Sequence, residues 1–185
     1  NINGQQLISA HHPNIHYVGR VDRSSLDYVR FDWPGVSVQG RFTGQIAAIL
    51  LNGGKENYYN LFVNGNLHSV FNAPHDTVLF ISGLPNDGPH DWMLTKRTES
   101  GMGITLFQGL MLEPDAKILP PKEISTRRIE FIGNSITCGY GTEGIHRDEP
   151  FKPETENNYK SYGAILARAF SAEAHYIAHS GLGVV

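Results

Sequence analysis

A single cysteine, Cys138, occurs in 185 residues. That excludes a disulfide within the chain and any cysteine-rich metal site, so the fold must rest on its core. No run approaches the roughly 18–20 consecutive apolar residues that a membrane helix needs, so no membrane partner is expected. The start, Asn1 to Gln6, has neither the basic nor the apolar part of a signal peptide. Because the first residue is Asn and not Met, the compartment stays open at this point. A basic half is missing too: residues 1–115 carry 7 Lys+Arg against 10 Asp+Glu, and residues 116–185 carry 8 against 8. Nucleic acid is accordingly not an expected partner. Internal repeats and low-complexity segments are absent.

What is present is the composition of a globular protein, 40% hydrophobic with 20 Gly and 10 Pro. Eight short runs rich in Val, Ile, Phe, Tyr and Thr read as strands: 28–33, 36–42, 46–51, 58–63, 67–71, 77–81, 91–95 and 103–112. Val36, Val38, Gly40 and Phe42 alternate with Ser37, Gln39 and Arg41, the period-2 signature of a sheet with one buried face. Asn64-Gly65 between two such runs is a hairpin signal, since both residues tolerate the positive φ of a type I′ turn. The expectation is an all-β sandwich of jelly-roll type over residues 1–115. Residues 116–125, with Pro120 and Pro121, read as a linker.

Residues 126–185 follow a different pattern. Arg127 to Ile132 is a short strand, a polar loop covers 139–157, and Tyr159, Tyr162, Ile165, Leu166, Ala169 and Phe170 recur at helical spacing, which predicts an amphipathic helix over 158–170. Ala174 to Ala178 is a second strand. A β-loop-α-β unit makes its two strands parallel. Two parallel strands and one helix cannot cover both faces of such a sheet, so this α/β domain is expected to be incomplete.

The first of these strands runs into Gly133-Asn134-Ser135, which places a hydroxyl at its carboxyl end, the edge where open α/β sheets keep their crevice. Ser180-Gly181 ends the second strand at the same edge. A nucleophilic serine needs a base, and the oxyanion formed by its attack needs preorganised N–H donors, which a glycine offers without obstruction.

Gly133-Asn134-Ser135-Ile136-Thr137 resembles the first block of SGNH hydrolases, and Ser180-Gly181-Leu182-Gly183 resembles their second. The stretches Tyr17 to Asp22 and Phe31 to Gly35, and His90 followed by Lys96 to Glu99, are similar to carbohydrate esterase family 2, whose members join an amino-terminal jelly roll to an α/β/α SGNH esterase domain. The resemblance implies removal of O-acetyl groups from plant polysaccharides or oligosaccharides of xylan, mannan or glucan type, at the sugar 6-hydroxyl, without a cofactor or metal. Acetylated carbohydrate is then the partner, and a secreted, periplasmic or cell-surface location follows from that substrate. Ser135 would be the nucleophile, with its own backbone N–H and that of Gly181 as oxyanion donors and Gly183 as the competing donor. Asn134 replaces the commoner Asp of the first block. The family's third donor, an Asn, and its histidine base have no counterpart after Gly181 and are expected in a further carboxyl-terminal segment. The 185 residues alone are then expected to be inactive.

Each of these residues has a plainer reading. Ser135 could cap a helix, and Gly181 could serve only a turn. Lys96, Arg97 and Glu99 read as a structural charge network under the domain interface, Cys138 as a small buried hydrophobe, and His11, His12 and His16 as a solvated arm. Tyr58 and Tyr59 point to opposite faces of a strand. His146 and Asp148 either line the crevice or belong to a solvated loop. Asp87-Gly88-Pro89-His90 has the spacing of an Asp-x-x-His block but precedes the serine and lies in a turn of the sandwich, so His90 is expected to be structural. Two other functions remain in view: a non-catalytic carbohydrate-binding sandwich with a remnant hydrolase domain, and an SGNH lipase or thioesterase, which the amino-terminal β-domain disfavours.

Overall fold

The computed structural model describes residues 4–85, 88–122 and 124–183. Its strands, in chain order, are β1 (Gln6–Ser9), β2 (His16–Val18), β3 (Val29–Phe31), β4 (Ser37–Phe42), β5 (Ala47–Asn52), β6 (Tyr58–Val63), β7 (Asn66–Asn72), β8 (Asp76–Ile81), β9 (His90–Lys96), β10 (Thr105–Leu112), β11 (Ile118–Leu119), β12 (Arg128–Gly133) and β13 (Glu173–Ala178). Two helices, α1 (Ser135–Cys138) and α2 (Tyr162–Ala169), lie between β12 and β13.

The first eleven strands form two antiparallel sheets packed as a jelly-roll-like β-sandwich. One sheet has the order β1-β10-β5-β8, with β3 also on β10; the other has the order β11-β4-β9-β6-β7, with β2 also on β4. Inward-facing side chains alternate along each strand: Val38, Gly40 and Phe42 from β4, Tyr59, Leu61 and Val63 from β6, and Ile49 and Leu51 from β5 are buried. They meet Trp92, Leu94, Phe107 and Leu110 in one continuous core. Tyr59 is wholly buried while Tyr58 is half-buried, as opposite faces require. The β6–β7 hairpin turns at Asn64 and Gly65 with φ of 50° and 80°, the positive pair that a type I′ turn needs.

Three strands escaped the sequence reading, namely β1, β2 and β11. Each is an edge piece of two to four residues, too short to show a period. β11 pairs with β4, so the sheet hydrogen bonding runs into the stretch read as linker. The His11–His16 segment is no solvated arm: it leads into β2, and His16 Nε2 lies 2.6 Å from Glu173 Oε1 on β13.

β12 and β13 pair in parallel, with Arg128 opposite Glu173 and Gly133 opposite Ala178. The unit they form with α1 and α2 sits on the outer face of the β4-β9-β6 sheet. Asn60 Nδ2 donates to Asn157 Oδ1 at 3.1 Å, and the Phe62 and Tyr159 rings meet at 4.5 Å. The predicted helix over 158–170 is found in two pieces, a 3-10 turn at Asn158–Lys160 and then α2, whose start is capped by the Ser161 side chain. Its orientation differs from the expectation. Gly163, Ala164 and Ala167 face Phe131 and Tyr176, whereas Ile165, Leu166 and Phe170 are exposed. The small residues allow α2 to lie close on two aromatic rings, and the larger ones form the opposite face.

Candidate active site

The carboxyl ends of β12 and β13 reach one edge, and the backbone closes around it. The His179 N–H donates to Gly133 O at 3.3 Å, extending the parallel pairing one step beyond the strands. Directly after β12, the chain turns into α1. Asn134, in extended conformation, is the cap, and its side chain accepts the Ile136 N–H at 3.3 Å. Ser135 is thus the first helical residue and not the capping residue, because Asn134 fills that role.

Two glycines make the turn feasible. A Cβ on Gly133 would lie 2.1 Å from Thr137 Oγ1, so only glycine lets α1 fold back over the end of the strand. Gly139 ends α1 with φ of 88°, its N–H donating to Ser135 O at 3.1 Å, and a Cβ there would meet Asn157 O at 2.5 Å. Behind the helix, Asn158 Nδ2 donates to Thr137 O at 2.9 Å. Ser135 is therefore held by a four-residue helix fixed at both ends.

β13 continues into His179-Ser180-Gly181-Leu182, a turn in which the Leu182 N–H donates to His179 O at 3.3 Å. Gly181 has φ of 80° and is exposed, as the third residue of a type II turn requires. Among the described residues, the backbone N–H groups of Ser135, Gly181 and Gly183 donate to nothing, and the Ser135 hydroxyl has no hydrogen-bond partner. A cavity of about 380 Å³ beside this edge is lined by Trp33, Ile132, Gly133, Asn134, Ile177, His179, Leu182 and Gly183. Ser135 and Gly181 are not part of its lining, though their chain neighbours Asn134 and Leu182 are. Trp33 is the contribution of the sandwich, and sequence reasoning did not single it out for this place.

The remaining candidates lie elsewhere. His146 and Asp148 are both exposed and pair with each other at 3.6 Å, in a solvated loop that does not line the cavity. His90 is buried against Phe42, with Asn64 Nδ2 3.0 Å from its Nδ1. Asp87 falls outside the described residues.

Beneath the edge is a buried polar cluster from both units. Arg97 donates to Asn60 Oδ1 and to the carbonyls of Glu154 and Glu156, and pairs with Glu143. Lys96 Nζ donates to the carbonyls of Thr98 and Glu99 at 2.7 and 2.8 Å. Burial lowers the Lys96 ammonium to about 8, against the pull of the Asp32, Glu156 and Glu99 charges. Burial raises Glu156 to about 7, with its Oε2 accepting the Glu99 N–H at 2.9 Å. Cys138 Sγ donates to Glu99 Oε2 at 3.6 Å, and its thiol is pushed up by burial and by the two carboxylates, which keeps it unreactive. Glu99, Cys138 and Glu156 do place potential ligand atoms within 4.8 Å of one another. The Lys96 ammonium already supplies a cation there. The sequence marked Lys96, Arg97 and Glu99 but not Glu156 and Asn157, which read as loop, or Asn158, which read as a helix start; no period distinguishes a buried polar run from a solvated one.

The family model for the carbohydrate esterase 2 N-terminal region matches residues 17–121. The chain is 41% identical over 174 residues to the cellulase/esterase CelE of Acetivibrio thermocellus, covering 93% of the chain and 21% of that protein. It is 34% identical over 160 residues to an acetylxylan esterase / glucomannan deacetylase of Cellvibrio japonicus, covering 84% of the chain and 43% of the relative. Among solved structures, a family two carbohydrate esterase from Clostridium thermocellum in complex with cellohexaose superposes with a TM-score of 0.86 at 38% identity, over 91% of this chain and 52% of that one. The chain thus spans less than half the length of these two curated relatives.

Proposed function

The chain belongs to the carbohydrate esterase 2 N-terminal family, and on that premise we propose that the protein is a serine esterase that removes O-acetyl groups from plant polysaccharides such as xylan, mannan or glucan. We assign residues 1–115 to its jelly-roll domain, 116–125 to a connector whose β11 still pairs with β4, and 126–185 to the leading part of an SGNH hydrolase domain. The sugar 6-hydroxyl is the acetylated position expected from the family resemblance, and such a substrate places the enzyme outside the cytoplasm.

The observation that supports this reading best is the parallel pairing of β12 with β13, after which Ser135 and Gly181 follow the two strand ends at one sheet edge, each with an N–H that donates to nothing among the described residues. In the reaction the Ser135 hydroxyl attacks the acetyl carbonyl. Its proton passes to a histidine supplied by chain outside these 185 residues, which then returns it to the departing sugar oxygen. The tetrahedral oxyanion accepts hydrogen bonds from the Ser135 and Gly181 backbone N–H groups, donors already oriented before the substrate arrives. Water then releases acetate from the acetyl-serine by the same steps.

Ser135→Ala in the full-length protein tests this. Acetyl release should fall by at least about a hundredfold with the fold intact, since only binding and the oxyanion donors would still accelerate the reaction. A smaller loss would refute the nucleophilic role.

A further inference from the structure

The turn that carries Gly181 is not held by its own unit alone. Ser180, the residue before Gly181, donates its backbone N–H to Glu99 Oε2 at 2.5 Å, and Glu99 belongs to the sandwich, three residues beyond β9. Its side chain is only 5% exposed. Its main chain is fastened on both sides, with the N–H on Glu156 Oε2 at 2.9 Å and the carbonyl on Lys96 Nζ at 2.8 Å. The same Oε2 accepts from Cys138 Sγ at the end of α1 and lies 3.7 Å from His179 Nδ1. One carboxylate oxygen therefore touches both pieces of the candidate site, the helix that begins with Ser135 and the turn that contains Gly181.

Resting on the esterase reading above, we propose that Glu99 is a positioning residue: it holds the Ser180 N–H and so fixes where the turn that carries the Gly181 N–H sits relative to Ser135. The physics is that of a charge-assisted hydrogen bond inside a buried site, shorter and stronger than a neutral one. The Leu182 N–H bond to His179 O closes the turn, and a Cβ built on Gly181 would meet nothing within 4 Å, so packing around Gly181 does not set where the turn sits. Glu99 sets it, because the oxygen that holds the Ser180 N–H also accepts from Cys138 at the end of α1 and so ties the turn to the helix that begins with Ser135. A turn left free to shift from α1 would lose the preorganisation that makes oxyanion donors effective. The jelly roll thereby contributes to the reaction itself, through a group that does not touch the substrate.

Two substitutions of similar size separate this role from simple support of the interface. Glu99→Gln keeps a carbonyl oxygen that can accept the Ser180 N–H, and Glu99→Met keeps the length of the side chain without an acceptor. In the full-length protein acting on an aryl acetate, Glu99→Met should lower kcat by at least about thirtyfold with KM within about threefold, and Glu99→Gln should restore kcat to within about fivefold of the parent. A Met variant with kcat within threefold of the parent, an equal loss in both variants, or a loss confined to KM would each overturn the proposal. Should Glu99→Met fail to fold, Glu99→Asp, which withdraws the acceptor by one methylene, is read against the same expectations. Ser135→Ala measured alongside keeps the two readings apart. Turnover retained there refutes the nucleophile, whereas an inactive Ser135→Ala beside a fully active Glu99→Met refutes the positioning role alone.

Discussion

Glu156 is wholly buried, and desolvation raises it from 4.5 to about 7. A carboxyl whose pKa rises on folding contributes stability that is complete below its unfolded value and is lost as the pH climbs through the folded one. The window therefore runs from about pH 4.5 to 7. Lys96, lowered from 10.5 to about 8, acts in a separate window, with stability present above pH 10.5 and lost as the pH falls through 8. Glu156→Gln removes the first titration only. Relative to this variant, the parent should lose about 1–3 kcal/mol of stability between pH 4.5 and 8, at roughly 1.4 kcal/mol per pKa unit before relaxation is allowed for. Urea unfolding at a series of pH values measures it, and parallel curves for the two proteins would rule it out. The second residue-scale test concerns Gly133. A methyl group 2.1 Å from Thr137 Oγ1 forces α1 away from the strand, so Gly133→Ala should cost about 1–3 kcal/mol as an overpacking change and should depress acetyl release by displacing Ser135. Unchanged thermal stability in that variant would mean that α1 is free to shift.

Among the elements, β12 and the end of β13 were legible because their information is local, in an apolar run that stops at Gly133-Asn134-Ser135 and another that stops at Ser180-Gly181. The four-residue helix α1 was not, because one turn is too short to show a period, and its cap is Asn134 rather than Ser135. The strands longer than five residues were legible for the same reason, through the alternation of Val36 to Phe42 and the Asn64-Gly65 turn. The face of α2 was not. The helical period of Tyr162, Ile165, Leu166 and Phe170 locates the helix, yet Gly163, Ala164 and Ala167 make its contact with Phe131 and Tyr176. Which stripe is buried depends on what the partner offers, and two stacked aromatic rings 5.4 Å apart favour close approach of small residues. The Glu99–Ser180 link was hidden for a related reason, since it joins positions 81 residues apart. At this scale the left-handed cap of α1 is testable. Gly139→Ala combines a φ of 88° with a Cβ contact of 2.5 Å to Asn157 O, and should destabilise the protein by about 1–3 kcal/mol in urea unfolding. A variant as stable as the parent would show that α1 ends differently.

At the scale of the whole molecule, the sandwich holds a large continuous core, while the β12–β13 unit has a small one built on Phe131, Ala164, Ala167 and Tyr176. Ile132, Ile136, Ile165, Leu166 and Phe170 are exposed on that unit, and it is attached to the sandwich by polar links through Glu99, Arg97, Asn157 and Glu173 and by the Phe62–Tyr159 ring contact. Catalysis in this account needs a base for Ser135 that the described residues do not bring to it. The 185-residue chain by itself should therefore show no serine-dependent turnover of an aryl acetate, and the full-length protein should. Turnover by the chain alone, abolished by Ser135→Ala, would mean that the base lies within these residues. Whether Ser135 is the nucleophile can be read covalently. Full-length protein treated with a small fluorophosphonate, which a nucleophilic serine attacks with loss of fluoride, is digested and its adduct located by mass spectrometry. A single adduct is expected on Ser135, lost in Ser135→Ala together with acetyl release. An adduct on another residue, with Ser135 unmodified in active protein, would contradict that role.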